Sequence, residues 1–461
     1  MEKEKVREIL EDALARSRAD YTEVRFERRM TTVVHFRHGE MEVATTVSEE
    51  GGIVRSLLSS GGWGTATFNR LADVATFVEA AYECARALPK QNIKLAETPP
   101  VQDEVRFCVE RDFRKIGLSE KADLVRGYNE AILEAGDAII DSHSLYSDIW
   151  VERFYLTSEG TRIYEEWGEV GLRFSATARK DGIVQRAGQS FAKPAGYEMV
   201  LNKETLARDV GALAVKLLSA PPVKGGRYNV VLNQELASVF IHEAFGHLSE
   251  ADHVYENRRA RELMVLGKRF APEFFNAGDD GTVEGQRGTH KYDDEGVPTR
   301  LNWLIKDGVL VGRLHSRETA AKMGESLSGN ARAISYRFAP IVRMTNTFIA
   351  NGDTPFNDLI SDIKEGVYAC DSYGGQTELE NFSFIAGYGY MIRNGRIAEL
   401  VRDVVVAGNL FDTLRNIEGL GDDFKWIERG GGCGKGGQGP LPVGMGAPHV
   451  RIRDVVIGGR K

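Results

Sequence analysis

An α+β architecture of three sheet-rich units with flanking helices, the last built on a large antiparallel sheet, is predicted from three features of this 461-residue chain. Runs of alternating apolar and polar residues recur between turns bearing Gly, Asn or Asp, the pattern of antiparallel strands joined by hairpins. Amphipathic segments with apolar residues at three- and four-residue steps fall between those runs. Proline-marked connectors at Pro99-Pro100 and Pro221-Pro222 divide the chain into units at 1–97, 98–222 and 223–461. Each unit is long enough to bury a core of its own.

In the first unit, residues 4–18 place Val6, Ile9, Leu10, Ala13 and Leu14 at helical steps. Alternating strands follow from Thr22 to Arg28 and from Thr32 to His35, with a turn at His38-Gly39 before Met41-Glu42-Val43. Gly51-Gly52 and Gly61-Gly62 punctuate further strands, and Leu71 to Leu88 forms a helix that stops before Pro89. The central unit opens with a helix from Ser119 to Ala135. Strands then run over 138–140, 147–158, 161–167 and 170–178, their charged and aromatic residues alternating as on a sheet with one wet face. A helix from Lys203 to Leu218 is halted by Pro221-Pro222.

The third unit starts with a strand, Tyr228 to Leu232, followed by Asn233 as helix N-cap. A charged helical run spans Glu256 to Lys268, and from Leu301 onward short strands recur between turns at Asp307-Gly308, Asn351-Gly352, Gly374-Gly375 and Asn394-Gly395. The nearly matching hairpins Trp303–Arg313 and Tyr390–Val401 point to a large antiparallel sheet.

Composition narrows the function. A formal charge of −8 and the lack of a long Lys/Arg run argue against nucleic acid. No apolar stretch reaches the length of a membrane span, and the charged start Met1 to Lys5 leads into an amphipathic helix, so a cytoplasmic protein is expected. Cys84, Cys108, Cys370 and Cys433 are too scattered for a disulfide framework. The first three have surroundings that suggest burial, whereas Cys433 sits in a glycine-dense loop, 430–439, and is expected to be accessible.

Chemistry concentrates in Ile241-His242-Glu243-Ala244-Phe245-Gly246-His247. Two imidazoles and a carboxylate on one helix resemble the zinc-protease pattern, in which His, Glu and His occupy i, i+1 and i+4. Here the second histidine is at i+5, about 140° from the first on a regular helix, so the rings would diverge. They converge if the helix carries a one-residue π-bulge or unwinds before His247, and Gly246 is the residue able to permit it. The bland alternative makes His242 a core residue and His247 a polar helix end.

Cys433, flanked by glycines and beside Lys435, suits metal ligation by its thiolate. With two histidines it would leave a fourth tetrahedral position open, as catalytic zinc sites require. Glu250, Asp252, His253 and His290 compete for the third place on spacing alone. Arg332, Tyr336 and the glycine-loop amides are candidate oxyanion donors. The loop does not match a phosphate cradle, since Pro440 and Pro442 follow where a Lys-Ser/Thr and a helix should stand.

These residues, with Gly329-Asn330-Ala331-Arg332, Arg343-Met344-Thr345-Asn346-Thr347, Gly408-Asn409 and Gly432 to Gln438, resemble the TldD/PmbA family, and specifically its TldD branch. The resemblance covers nearly the whole chain. It implies a zinc metallopeptidase with His242, His247 and Cys433 as ligands and Glu243 as general base, acting on unfolded or short peptides. It also implies a two-subunit assembly, a homodimer or a heterodimer with a PmbA/TldE-like paralogue. A non-catalytic peptide-binding or scaffold subunit is the alternative reading, and a small-molecule amidase a further one.

Overall fold

The structure, a computed structural model, describes residues 2–378 and 380–458. It is a mixed α and β architecture built on several sheets. The first sheet has seven strands: β1 (Tyr21–Arg37), β2 (Glu40–Leu57), β3 (Trp63–Phe68), β4 (Gln102–Val105), β5 (Ile139–Thr157), β6 (Arg162–Lys180) and β7 (Ile183–Lys193). Their order is β3-β2-β1-β5-β6-β4, with β7 also on β6. The turn between β1 and β2 falls at His38 and Gly39, both at positive φ. Strands from the two sequence units at 1–97 and 98–222 share this sheet, because β1 pairs along its length with β5.

Side-chain alternation assigns the two faces. Even-numbered residues of β1, β5 and β6 meet the helices. Val24, Phe26 and Phe154 pack with α1 (Lys3–Leu14) and α2 (Val74–Ala87) at one end. Tyr146, Leu172 and Phe174 pack with α3 (Leu118–Leu133) and α4 (Glu204–Ser219) at the other. The odd-numbered face, expected to be wet, is instead covered by the third unit. Arg25 donates to the carbonyls of Ser335 and Phe338, and Arg153 pairs with Asp294 at 2.5 Å. Arg25 is 2% and Glu27 1% exposed, so this is a buried charged interface whose partners lie far away in sequence. Gly51 and Gly52 lie inside β2: a Cβ on either would stand 2.3 Å from the ring of Tyr336 or Phe68.

In the third unit β8 (Gly226–Leu232) lies inside a nine-stranded sheet. It pairs antiparallel with Val450–Gly458 and parallel with Glu365–Cys370. A six-stranded sheet that includes Ala277–Asp280, Asn346–Ile349 and Gly444–Ala447 stands beside it. The turns at Asp307-Gly308 and Asn394-Gly395 both have positive φ at their two residues, as tight hairpins require. Gly374-Gly375 opens a strand, Gly374–Glu378, where a turn was expected. Of the charged run expected as one helix over Glu256–Lys268, Arg258–Leu263 is helical, and Glu256 ends a separate short helix, Ala251–Glu256.

Candidate metal centre

β8 leads into α5 (Gln234–Ile241), whose first turn is capped by the Asn233 side chain accepting from the Leu236 N–H at 2.9 Å. Leu236, Phe240 and Ile241 bury the helix against the sheet, with Phe240 edge-on to Phe382 and Phe384. At His242 the helix widens into a π turn, His242–Gly246, and then tightens into a 3-10 turn, His247–Ser249. The extra residue in the turn rotates i+5 onto the side that i+4 takes in a regular helix. His242 and His247 therefore meet, with ring centroids 5.3 Å apart.

Gly246 serves this turn through space, not through unusual dihedrals, since its φ of −57° and ψ of −52° are helical. A Cβ there would stand 2.1 Å from the Met344 sulfur, and Met344 is fully buried. Gly246→Ala should overpack this contact and cost about 1–3 kcal/mol, read as a lowered denaturant midpoint together with reduced zinc content. A variant of unchanged stability would show that the π turn does not depend on this approach.

Cys433 arrives from the glycine-rich segment. Cys433–Lys435 pairs with Gln438–Leu441 as a small antiparallel ladder. Fully buried Arg343 holds it, donating to the Cys433 carbonyl at 2.6 Å and the Gln438 carbonyl at 3.2 Å. Arg287 donates to the carbonyls of Arg429 and Gly431, both at 2.9 Å. These ties bury Cys433 to 4% exposure, while Cys84 and Cys108 are exposed and Cys370 is buried. The expected ranking of thiol access is thus reversed for three of the four, because the loop's ordering groups come from distant parts of the chain.

Among the described residues, His242, His247 and Cys433 form a group whose ligand atoms all lie within 4.8 Å of one another. Cys433 Sγ is 3.3 Å from His247 Nε2, against about 3.6 Å for sulfur and nitrogen on one tetrahedral zinc. His242 Nδ1 is buried without a hydrogen-bond partner among the described residues. An orphaned imidazole nitrogen, a thiolate and a second imidazole in this spacing fit zinc.

Glu250 accepts from His247 Nδ1 at 3.0 Å, which turns Nε2 toward the thiol. Lys435 pairs with Glu250 at 3.1 Å and Asp252 at 2.6 Å. Glu250 and Asp252 therefore stand behind the group, His253 lies outside it, and His290 is against Arg332 at 3.3 Å in a neighbouring cavity. Burial opposes ionisation of Glu250, but His247 and Lys435 outweigh it and hold the carboxyl below its usual range. Burial also opposes the charged form of His247, yet Glu250 and Cys433 keep it protonated well above the usual imidazole range. For Cys433, burial favours the thiol, and the two histidines override this and draw its pKa down to about 4.

The metal-free centre is therefore a thiolate facing an imidazolium. Lowering the folded pKa places the thiolate above about pH 4, whereas an ordinary thiol ionises near pH 8.5. In metal-stripped protein at pH 6, iodoacetamide should modify Cys433 at a rate close to its rate at pH 8. A thiol of ordinary pKa would slow by about 75-fold over that interval. Peptide mapping that finds Cys433 slowed that steeply would contradict the ion pair.

Glu243 is 34% exposed at its side chain, with Oε2 3.9 Å from His247 Nε2. It lines a cavity of about 510 Å³ together with His242, Cys433 and Glu235 from the chain's own α5 face. Burial, then the charge of Asp371, raises Glu235 to about 7, with Arg429 paired to it at 2.6 Å. Neither Arg332 nor Tyr336 lines this cavity: Arg332 bonds the carbonyls of Met344 and Pro442, and Tyr336 packs on β2 at Gly51. Arg343 stands in the sequence only as part of a family motif, and its role as a tie went unread, although an arginine between Val342 and Met344 in an apolar stretch is a signal for one.

Family models describe all three parts of the chain: PmbA/TldA metallopeptidase domain 1 at 22–86, the central domain at 111–218 and the C-terminal domain at 225–459. The chain belongs to the TldD/PmbA family. A relative from Synechocystis sp. named as a metalloprotease is 44% identical over 444 residues, covering 96% of each chain. One from Saccharolobus solfataricus, named zinc metalloprotease TldD homolog, is 29% identical and covers 96% of this chain and 97% of its own. The crystal structure of TldE from Thermococcus kodakarensis shares the fold, with a TM-score of 0.77 at 17% identity over 99% of both chains. This family member also has no helix among its described residues long and apolar enough to cross a membrane.

Proposed function

We propose that the chain is a zinc-dependent peptidase that hydrolyses peptide bonds in short or unfolded peptides, with His242, His247 and Cys433 holding the metal and Glu243 as general base. What supports this most is one arrangement: a thiolate and two imidazoles grouped beside a partly exposed carboxylate on the wall of a cavity. Zinc held there supplies Lewis acidity toward a carbonyl oxygen and toward water.

The protein's own groups do the rest. Glu243 carboxylate oxygen takes a proton from the attacking water and returns it to the amine nitrogen that leaves. Its partial exposure lets it reach a cavity-bound peptide, while its carboxylate stands 3.9 Å from His247 Nε2. Glu250 fixes the ring of His247, and Arg343 fixes the backbone of Cys433, so both positions are set before a peptide arrives. Arg287 and Arg343 occupy strip carbonyls, which holds the glycine strip firmly along the cavity.

The reading extends to a homodimer or a heterodimer with a PmbA/TldE-like paralogue. β3 covers only Gly52–Leu57 of β2, leaving the outer edge from residue 40 to 51 open with Met41, Val43 and Val47 exposed. We place the enzyme in the cytoplasm, where four unpaired thiols stay reduced. Metal analysis combined with a peptide-library digest tests the function: stoichiometric zinc with cleavage at internal peptide bonds is expected. Peptide binding without stoichiometric metal would make it a scaffold subunit, and intact internal bonds with small amides hydrolysed would make it an amidase.

A further inference from the structure

A second cavity, of about 400 Å³, adjoins the one at the metal group, and Arg173 on β6 lies on the wall common to both. Arg173 projects from the same charged face of the sheet as Trp167 and Glu169, and its guanidinium reaches over the glycine strip, 3.8 Å from where a Cβ at Gly431 would stand. The other arginines of the smaller cavity are committed. Arg153 pairs with Asp294, Arg287 with both oxygens of Glu169 at 2.5 and 2.6 Å, and Arg332 donates to two carbonyls. Arg173 is exposed and, among the described residues, has neither a hydrogen bond nor an ion pair.

The carboxylates of the smaller cavity are committed too, Asp148 to Lys121. Glu169 and Asp294 face the arginines just named, and Asp293 accepts from the N–H groups of Glu295, Val297 and Ala331. An uncompensated guanidinium thus stands in a cleft whose other walls include Trp167, Phe191 and Leu441. Low-dielectric walls beside the guanidinium focus its field, and the planar fork of an arginine matches a carboxylate with two parallel hydrogen bonds. The peptide backbone itself carries no charge. A carboxylate reaching this point comes from the free carboxyl end of a peptide or from an Asp or Glu side chain.

We propose that Arg173 is the specificity determinant that receives a substrate carboxylate at the junction of the two cavities, the apolar walls of the smaller one taking the residue that bears it. This rests on the peptidase reading, so the test separates the two. Zinc-loaded protein carrying Glu243→Gln is titrated with hexapeptides of one uncharged sequence: the free acid, the C-terminal amide, and amides in which a single Glu or Gln is moved through the sequence. The carboxylate-bearing members should bind about tenfold tighter. Acid over amide identifies the chain terminus as the source, and Glu over Gln identifies a side chain.

Adding Arg173→Gln should bring acid and neutral members to within about twofold of each other, with melting temperature and zinc content unchanged. Arg173→Lys should keep part of the preference, and Arg173→Glu should turn it toward Lys-bearing peptides. Equal or absent binding of every member with Arg173 in place, or a carboxylate preference that survives Arg173→Gln, overturns the proposal. Wild-type protein that leaves the same peptides uncut while carboxylate-dependent binding persists removes only the peptidase reading.

Discussion

Glu243→Gln should lower peptide hydrolysis by about 10²–10⁴-fold while the zinc content stays that of the wild type. Glutamine keeps the size and planar shape of the carboxylate, but one acceptor oxygen becomes an NH2 donor and neither end is basic enough to accept the proton of the attacking water. Glu243 is outside the group of three ligand atoms, and its side chain is partly exposed on the cavity wall, so the exchange disturbs neither the metal nor the core. The loss should fall on kcat with KM little changed, because the base acts in the transition state and not in peptide binding. Single-turnover kinetics with metal analysis on the same sample decide it. Turnover within a few-fold of the wild type would move the base elsewhere in the cavity, with Glu235 the next carboxylate on its wall.

Cys433→Ser should lose zinc affinity by more than the roughly 10–100-fold that losing an outer partner of a ligand costs, and activity should fall with the metal. Serine is close in size but keeps its proton at neutral pH, so one of three ligands becomes a weak neutral donor. Glu250→Gln sets the scale, since it alters the hydrogen bond to His247 Nδ1 and the ion pair with Lys435 but no ligand, and should sit within that 10–100-fold range. Serine at exposed Cys84 or Cys108 should change nothing, which controls for general thiol effects. Competition titrations with a chromogenic chelator give the order. If Cys433→Ser binds zinc as the wild type does, the thiol is a bystander and Glu250, 3.0 Å from His247 Nδ1, becomes the acid to test.

The sequence made legible what depends on near neighbours. The turns at His38-Gly39, Asp307-Gly308 and Asn394-Gly395 could be read because positive φ at both residues needs Asn, Asp, His or Gly locally. The cap at Asn233 and the convergence of His242 with His247 could be argued from a few consecutive residues, once a π turn was allowed. Where a partner lies far along the chain, the reading failed. Gly51-Gly52 reads as a break between strands because the Tyr336 ring that excludes a side chain at Gly51 is contributed by another unit. The charged face of β5 and β6 looked wet because its covering residues, such as Asp294, cannot be paired with it by pattern. Spacing left Cys433 one of five candidates for the third position, and only the clamps from Arg343 and Arg287 explain why a glycine-rich loop lies ordered against the histidines.

The strand pairing of β8 sets a timetable for the newly made chain. His247 and Cys433 are 186 positions apart, roughly 10–40 s of synthesis at about 5–20 residues per second. Through that interval the histidine pair has no sulfur opposite it. β8, which carries α5, gains its flanking partners only when Glu365–Cys370 and then Val450–Gly458 have been made. Contacts closed over such distances form late, because the entropy of closing the loop must be met before they stabilise anything. On the proposed ligand set, metal capture waits for Cys433, so a nascent chain stalled before residue 433 should hold zinc far more weakly than the full chain.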